Sequence, residues 1–159
     1  MRRIRRVLLD SSVYGAAIED EARYPVETHR YWDTVYSKAL LRMSKKIEIF
    51  GCPPVEQELS EAPQRLREKL LTLYRGVGLL QPARKVYELS ALYTEAGIFP
   101  QDALIASFAS AHKLDAFVTV NRRHLKRPDT VRKISAVNRR LRLRALLILL
   151  PGELWELLS

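Results

Sequence analysis

Short, nearly unbroken apolar runs alternate with stretches whose apolar residues recur in steps of three and four. Residues 7–9 (with Ile4 leading in), 47–50, 117–120 and 145–150 are runs of strand length, and 77–80 is a weaker strand or a loop. Strands without polar alternation are buried on both faces, the pattern of a parallel sheet covered by helices on each side. Between them the spacing predicts helices. One is expected over 11–22. A second, opened by Pro25 and Thr28, packs on the core through Trp32, Val35, Tyr36, Ala39, Leu40 and Met43. Pro53 and Pro54 suit the first turn of a third, and Pro63 breaks or kinks it. Helices follow over 64–75, with Leu66, Leu70 and Leu73 as the buried stripe, and over 82–96. Pro100 opens a helix that is apolar almost all round over 103–109, which calls for a central, buried position. A helix over 131–140 and a terminal one opened by Pro151, carrying Leu154, Trp155, Leu157 and Leu158, complete the order. We expect an α/β fold: a three-layer α/β/α sandwich around a mostly parallel sheet, formed as one domain by residues 1–159, with no repeat or linker.

The polar residues that close these runs carry the candidate chemistry. Asp10 ends the first run and Asn121 the 117–120 run. Glu58 falls about one turn into the Pro53 helix, and Asp102 in the first turn of the Pro100 helix. In a parallel α/β sheet the carboxyl ends of the strands share one edge, where ligands bind. Three carboxylates and an amide gathered there make an all-oxygen cation site suited to Mg2+ or Mn2+. Each residue has an ordinary reading too. Asp10 could form an Asx turn with Ser12, Glu58 could be solvated like Glu56 and Glu61, Asp102 could answer the helix dipole, and Asn121 could shape a turn. All four ordinary readings holding at once, in this order, is the weaker expectation.

Charge sharpens the picture. The formal net charge is +9, with a pI near 9.9. Arg2, Arg3, Arg5 and Arg6, together with ten Lys and Arg between Arg122 and Arg144, supply 14 of 27 basic residues and, through Asp129, 1 of 18 acids. The remaining 13 basic and 17 acidic residues leave the rest of the chain at −4. Such asymmetry favours a polyanion such as nucleic acid; the plainer alternative is a solvated basic helix. Acids that hold divalent cations and basic segments that hold phosphates converge on phosphodiester hydrolysis. A basic DNA-binding regulator fits less well, because no helix-turn-helix stands out and the acids would have no role. Cys52 is the only cysteine, so no intrachain disulfide and no zinc framework arise. The apolar run after the N-terminal arginines is too short for a signal peptide, and no run approaches the roughly 20 residues that span a bilayer. The expected compartment is the cytoplasm, with no membrane partner.

Three segments carry a family resemblance: Leu8-Leu9-Asp10-Ser11-Ser12-Val13, Val55-Glu56-Gln57-Glu58-Leu59, and Asp102-Ala103-Leu104-Ile105-Ala106 running on to the 115–121 stretch that ends in Asn121. In these the chain resembles PIN-domain proteins of the VapC-like toxin type, and the stretch over 100–125 is the most specific part. The resemblance implies an α/β/α ribonuclease dependent on Mg2+ or Mn2+. Asp10, Glu58 and Asp102 would be its metal-binding acids, with Ser11 or Ser12 as the hydroxyl after the first. Glu58 is preferred to Glu56 because it directly precedes Leu59. Asn121 stands where many members have a fourth Asp; Thr119, Asn121, His124, Asn138 and the Pro151-Gly152-Glu153-Leu154 segment resemble a subgroup with Thr-x-Asn there. The missing charge would weaken a second metal site, and Asp129 is a candidate substitute. Arg122, Arg123 and His124 are candidates for phosphate contact, although His124 could instead cap the turn after Asn121. The resemblance further implies RNA as substrate, a small antitoxin protein as partner and a homodimer. The alternative is a PIN-like domain that binds RNA without cutting it, which the missing fourth acid favours.

Overall fold

The computed structural model describes residues 3–43 and 45–159. Met1, Arg2 and Ser44, and with them one arginine of the N-terminal basic run, lie outside the described residues. Among the described residues five strands form one sheet: β1 (Arg6–Leu9), β2 (Glu48–Gly51), β3 (Gly78–Leu79), β4 (Ala116–Val118) and β5 (Leu147–Leu149). The order is β3-β2-β1-β4-β5, and every adjacent pair is parallel. Val7, Leu8 and Leu9 are wholly buried, as are Ala116, Phe117 and Val118, as continuous apolar runs in a sheet covered on both faces require.

Among the described residues eight α-helices flank the sheet and complete a three-layer α/β/α sandwich: α1 (Ser11–Ala17), α2 (His29–Leu41), α3 (Pro53–Ser60), α4 (Gln64–Tyr74), α5 (Arg84–Glu95), α6 (Pro100–Ala111), α7 (Pro128–Arg140) and α8 (Pro151–Leu158). α6 buries seven of its twelve residues, the outcome expected of a helix apolar all round. A buried polar knot ties the next layer together: the Tyr93 hydroxyl of α5 bonds Asn138 of α7 and Ser110 of α6, and Asn138 Nδ2 donates to Ser110 Oγ at 3.1 Å. Asn138 thereby fixes the basic helix α7 to the core.

Several elements differ from expectation. The first helix ends at Ala17, not residue 22; the Asp20 carboxylate then accepts the Ala22 N–H and starts a separate 3-10 turn over Glu21–Arg23. α2 packs inward through Thr34, Ser37 and Leu40. Its Trp32 and Tyr36 form an aromatic row with Trp155 of α8, and Trp32 stays 43% exposed. Of the apolar residues expected to mark the core face, Leu40 is fully buried; Thr34 and Ser37 share that inner side, in the helix that packs on α1. In α4, Leu70 and Tyr74 are buried while Leu66 and Leu73 are only partly so. The Tyr74 ring lies over Gly51, where a Cβ would collide with its hydroxyl.

The strand order has a functional consequence. From β1 the chain builds β2 and β3 on one side, then returns to place β4 and β5 on the other. The order therefore reverses between β1 and β4, and the crevice beyond their carboxyl ends is the switch point where α/β sheets bind ligands.

Candidate active site

Asp10 stands at that crevice. It follows the Leu9–Val118 register pair, and its N–H extends the ladder to Val118 O at 2.9 Å. The side chain is only 5% exposed. Two hydroxyls donate to the same oxygen, Oδ2: Ser12 Oγ at 2.5 Å and Thr119 Oγ1 at 3.0 Å. Thr119 is held in turn through its N–H to Leu149 O. Burial pushes the Asp10 pKa above the carboxylate range, and the two hydroxyl bonds oppose the rise.

Glu58 approaches from α3. Ser11 Oγ donates to Glu58 Oε1 at 3.0 Å, which ties the start of α1 to α3 across the crevice. Burial raises the Glu58 pKa first, followed by the Asp10 charge; Asp102 adds to the rise, and hydrogen bonds from Ser11 and Gln101 offset part of it. Asp102 lies in the first turn of α6, and its pKa is also raised, by burial and then by the Asp10 charge, against a lowering influence from His124. Asp10, Glu58 and Asp102 thus form one electrostatically linked set drawn from three elements. Among the described residues no Lys or Arg makes an ion pair with any of them. As they stand, no three His, Cys, Asp or Glu side chains among the described residues are gathered tightly enough to grip a metal ion. The chemistry of the set nonetheless fits one. The three acids are oxygen donors whose mutual repulsion a divalent cation would relieve.

The other candidates divide. Glu56 is exposed and its charge acts on Tyr74, whereas Glu58 feels the charges of Asp10 and Asp102. Cys52 is buried nearby with its thiol pushed up to about 12, chiefly by burial, and stays neutral. The His124 N–H donates to Asn121 Oδ1 at 3.1 Å, so the Asn121 side chain shapes this turn, while the His124 ring remains exposed. Arg122 is engaged: its guanidinium makes two bonds to Asp33, at 2.6 and 2.9 Å. Arg123 is exposed and lines a cavity of about 180 Å3 beside Asp102. Asp129 borders the same cavity, but Arg132 and Lys133 hold its carboxylate at 2.6 and 3.0 Å.

The basic segments do not all flank the acids, as their sequence clustering led us to expect. Arg5 and Arg6 enter β1 at the opposite end of the sheet, and four residues of strand extend over about 13 Å. Arg144 is paired there with Asp115 at 2.6 Å. Arg139 and Arg140 close α7, whose thirteen residues run over about 20 Å, at the end away from the cavity. The basic residues that do line the cavity with Asp102 are Arg123, Arg127 and Lys133. Thr119, Gln101, Arg127 and Lys133 were not singled out as site residues. Thr119 carried a signal in the Thr-x-Asn spacing; the others depend on helix placement that no local pattern reveals.

No protein-family model matches the chain, and no curated protein sequence matches it. Among the described residues no helix is long and apolar enough to cross a membrane.

Proposed function

We propose that the chain is a Mg2+- or Mn2+-dependent endoribonuclease of the PIN type, acting in the cytoplasm as the toxin of a pair with a small antitoxin protein. The observation that supports this reading best is the set of Asp10, Glu58 and Asp102 at the switch point. Each carboxylate has a raised pKa, and among the described residues no Lys or Arg makes an ion pair with any of the three; of the charged groups, His124 offsets part of the rise, at Asp102. Other acids of this chain are answered within the fold: Asp33 by Arg122, Asp129 by Lys133 and Arg132, Asp115 by Arg144. Asp10, Glu58 and Asp102 would hold the divalent ion, which supplies charge stabilisation for a phosphate and acidity for a water. Ser12 and Thr119 fix the Asp10 carboxylate, and Ser11 fixes that of Glu58. The reaction adds water to phosphorus and breaks one P–O bond of the RNA backbone. Arg123, Arg127 and Lys133 hold the neighbouring phosphates.

The test is cleavage of a labelled RNA pool by antitoxin-free protein with Mn2+, Mg2+ or EDTA, beside Asp102→Asn. Metal-dependent cutting that the variant loses supports the reading, and undiminished cutting by Asp102→Asn sinks it. One observation favours the binding-only alternative: the Asn121 Oδ1 is already engaged by the His124 N–H. Salt-dependent RNA binding with no cleavage in Mn2+ would select that alternative.

A further inference from the structure

We infer that the amino edge of the sheet is a second phosphate-holding surface, which grips the RNA backbone at the far end of α7 from the cavity beside Asp102. The choice of RNA as occupant rests on the function proposed above. The strand order assembles the surface. Five parallel strands bring the segments that lead into them to one edge, and each segment carries exposed cations. Arg3 and Arg5 precede β1, Lys45 and Lys46 precede β2, Arg75 precedes β3, Lys113 precedes β4 and Arg142 precedes β5. None of these makes an ion pair among the described residues. Asp115 is buried there and answered by Arg144, and exposed Glu48 opens β2. Neighbouring strands lie about 4.8 Å apart, so the row is roughly 19 Å wide. The first five positions after each strand show no such bias: Asp10, Glu56 and Glu153 stand with Arg84, Arg122 and Arg123.

Three further observations point to a polyanion. Arg3, Lys45 and Lys46 converge on one open cavity of about 630 Å3, which Ile4 and Leu147 also line. Lys113 and Arg142 hold left-handed backbone, φ +59° and +57°, in the Schellman turns that close α6 and α7. Gly adopts that conformation without strain, so the fold keeps a cation where local backbone energy favours Gly. The exposed face of α7 then joins this edge to the cavity beside Asp102. It runs through Arg132, Ser135, Ala136, Arg139 and Arg140 over about 20 Å, with Arg132 paired to Asp129 and the last two arginines in no ion pair among the described residues. One RNA backbone can follow that face from the acids to the amino edge. Phe, Tyr and Trp are absent from the five residues before each strand, except for buried Tyr74. The surface therefore lacks both the aromatic anchors of a protein interface and a platform for stacked bases. Cations alone hold phosphates and do not read sequence.

The experiment measures binding in EDTA by fluorescence anisotropy, with the full chain and a fluorescein-labelled oligouridine of about 40 nucleotides, from about 50 to 200 mM salt. The triple variant Lys45→Gln/Lys46→Gln/Arg142→Gly removes three cations of the edge. Its salt slope should be smaller by about 2, at about 0.7 per lost phosphate contact, and its affinity at 0.1 M salt lower by about 100-fold. Arg65→Gln/Arg67→Gln/Lys69→Gln makes the same change of net charge on exposed positions of α4 and should keep the wild-type slope. Arg142→Gly alone relieves the left-handed backbone, so it should reduce the slope by about 0.7 without lowering Tm, which loss of a merely structural cation would not do. An unchanged slope in the edge variant, or an equal loss in the α4 variant, would overturn the inference. So would phosphatidylserine vesicles that bind wild type and not the edge variant while the RNA slopes agree, since the surface would then be a membrane contact. RNA bound with the expected slopes but never cut would support this surface while the ribonuclease reading falls to the Asp102→Asn test.

Discussion

Two aspartates at opposite ends of the same pair of central strands have opposite fates. Asp115, 3% exposed, precedes β4 at the amino edge of the sheet. It accepts the Arg5 and Arg6 N–H groups at 2.8 and 2.9 Å and pairs with Arg144 at 2.6 Å. Asp10, 5% exposed, follows β1 at the carboxyl edge and receives neutral hydroxyls. Glu58 and Asp102 add like charge to its surroundings. A buried carboxylate is tolerable when a cation answers it. For Asp115 that cation is part of the chain, so the residue is structural. Asp10 has no such partner among the described residues, and in the function proposed above a divalent cation would supply the compensation.

The contrast can be broken from either end. The largest expected effect is on cleavage. Asp102→Asn should cut RNA at least about 10³-fold more slowly, since charge stabilisation worth several kcal/mol is lost, while Asp115→Asn should cut at the wild-type rate per folded molecule. Equal losses in single-turnover assays of the two variants would erase the distinction. Stability should show the reverse. Asp115→Asn leaves half-exposed Arg144 without its partner, so about 2–3 kcal/mol is lost, less than for a fully buried pair. That lowers Tm by roughly 4–12 °C in a chain of this size, measurable by calorimetry.

A smaller effect concerns pH. The pKa values of Asp10, Glu58 and Asp102 are raised by folding. The folded protein therefore binds more protons than the unfolded chain between the two sets of values. In metal-free protein the resulting stability is complete below about pH 4 and is lost as pH rises through the folded pKa values. Asp102→Asn removes one repelling charge, and screening of this half-exposed group limits the gain. Its metal-free Tm at pH 7.5 should exceed that of wild type by roughly 2–4 °C, about 1 kcal/mol, and the difference should vanish near pH 4. A difference that persists at pH 4 would mean that charge is not the cause. The smallest effect is expected from Asn121→Asp. The new carboxylate keeps the acceptor for the His124 N–H, and the Mn2+ concentration needed for half-maximal rate should fall; an unchanged value would show that position 121 does not face the metal.

The parts of this account that were legible in the sequence depend on local pattern. Residues 7–9 are apolar on both faces, so β1 and the place of Asp10 at its end followed, and the apolar run after Asp102 announced the buried α6. Pairings across distant segments were not legible. Arg122 and Asp33 are 89 residues apart, and nothing near either one signals the bond that occupies this arginine. Sequence clustering likewise grouped Arg5 and Arg6 with Arg123, although strand direction sends them to opposite ends of the sheet. The face of α2 was misread in part because apolar spacing was taken as a guide to burial: Leu40 is buried as expected, but the polar Thr34 and Ser37 share the inner side.

The most direct test of the central claim is a Mn2+ titration followed by thermal unfolding at pH 7.5, with wild type, Asp10→Asn and Asp115→Asn compared. We expect Mn2+ at 100 times its Kd to stabilise wild type by about 2.7 kcal/mol, roughly 5–10 °C, to stabilise Asp115→Asn by the same increment from its lower start, and to leave Asp10→Asn unmoved. An equal rise in Asp10→Asn, or none in wild type, would contradict the assignment of the carboxyl edge as a divalent-cation site.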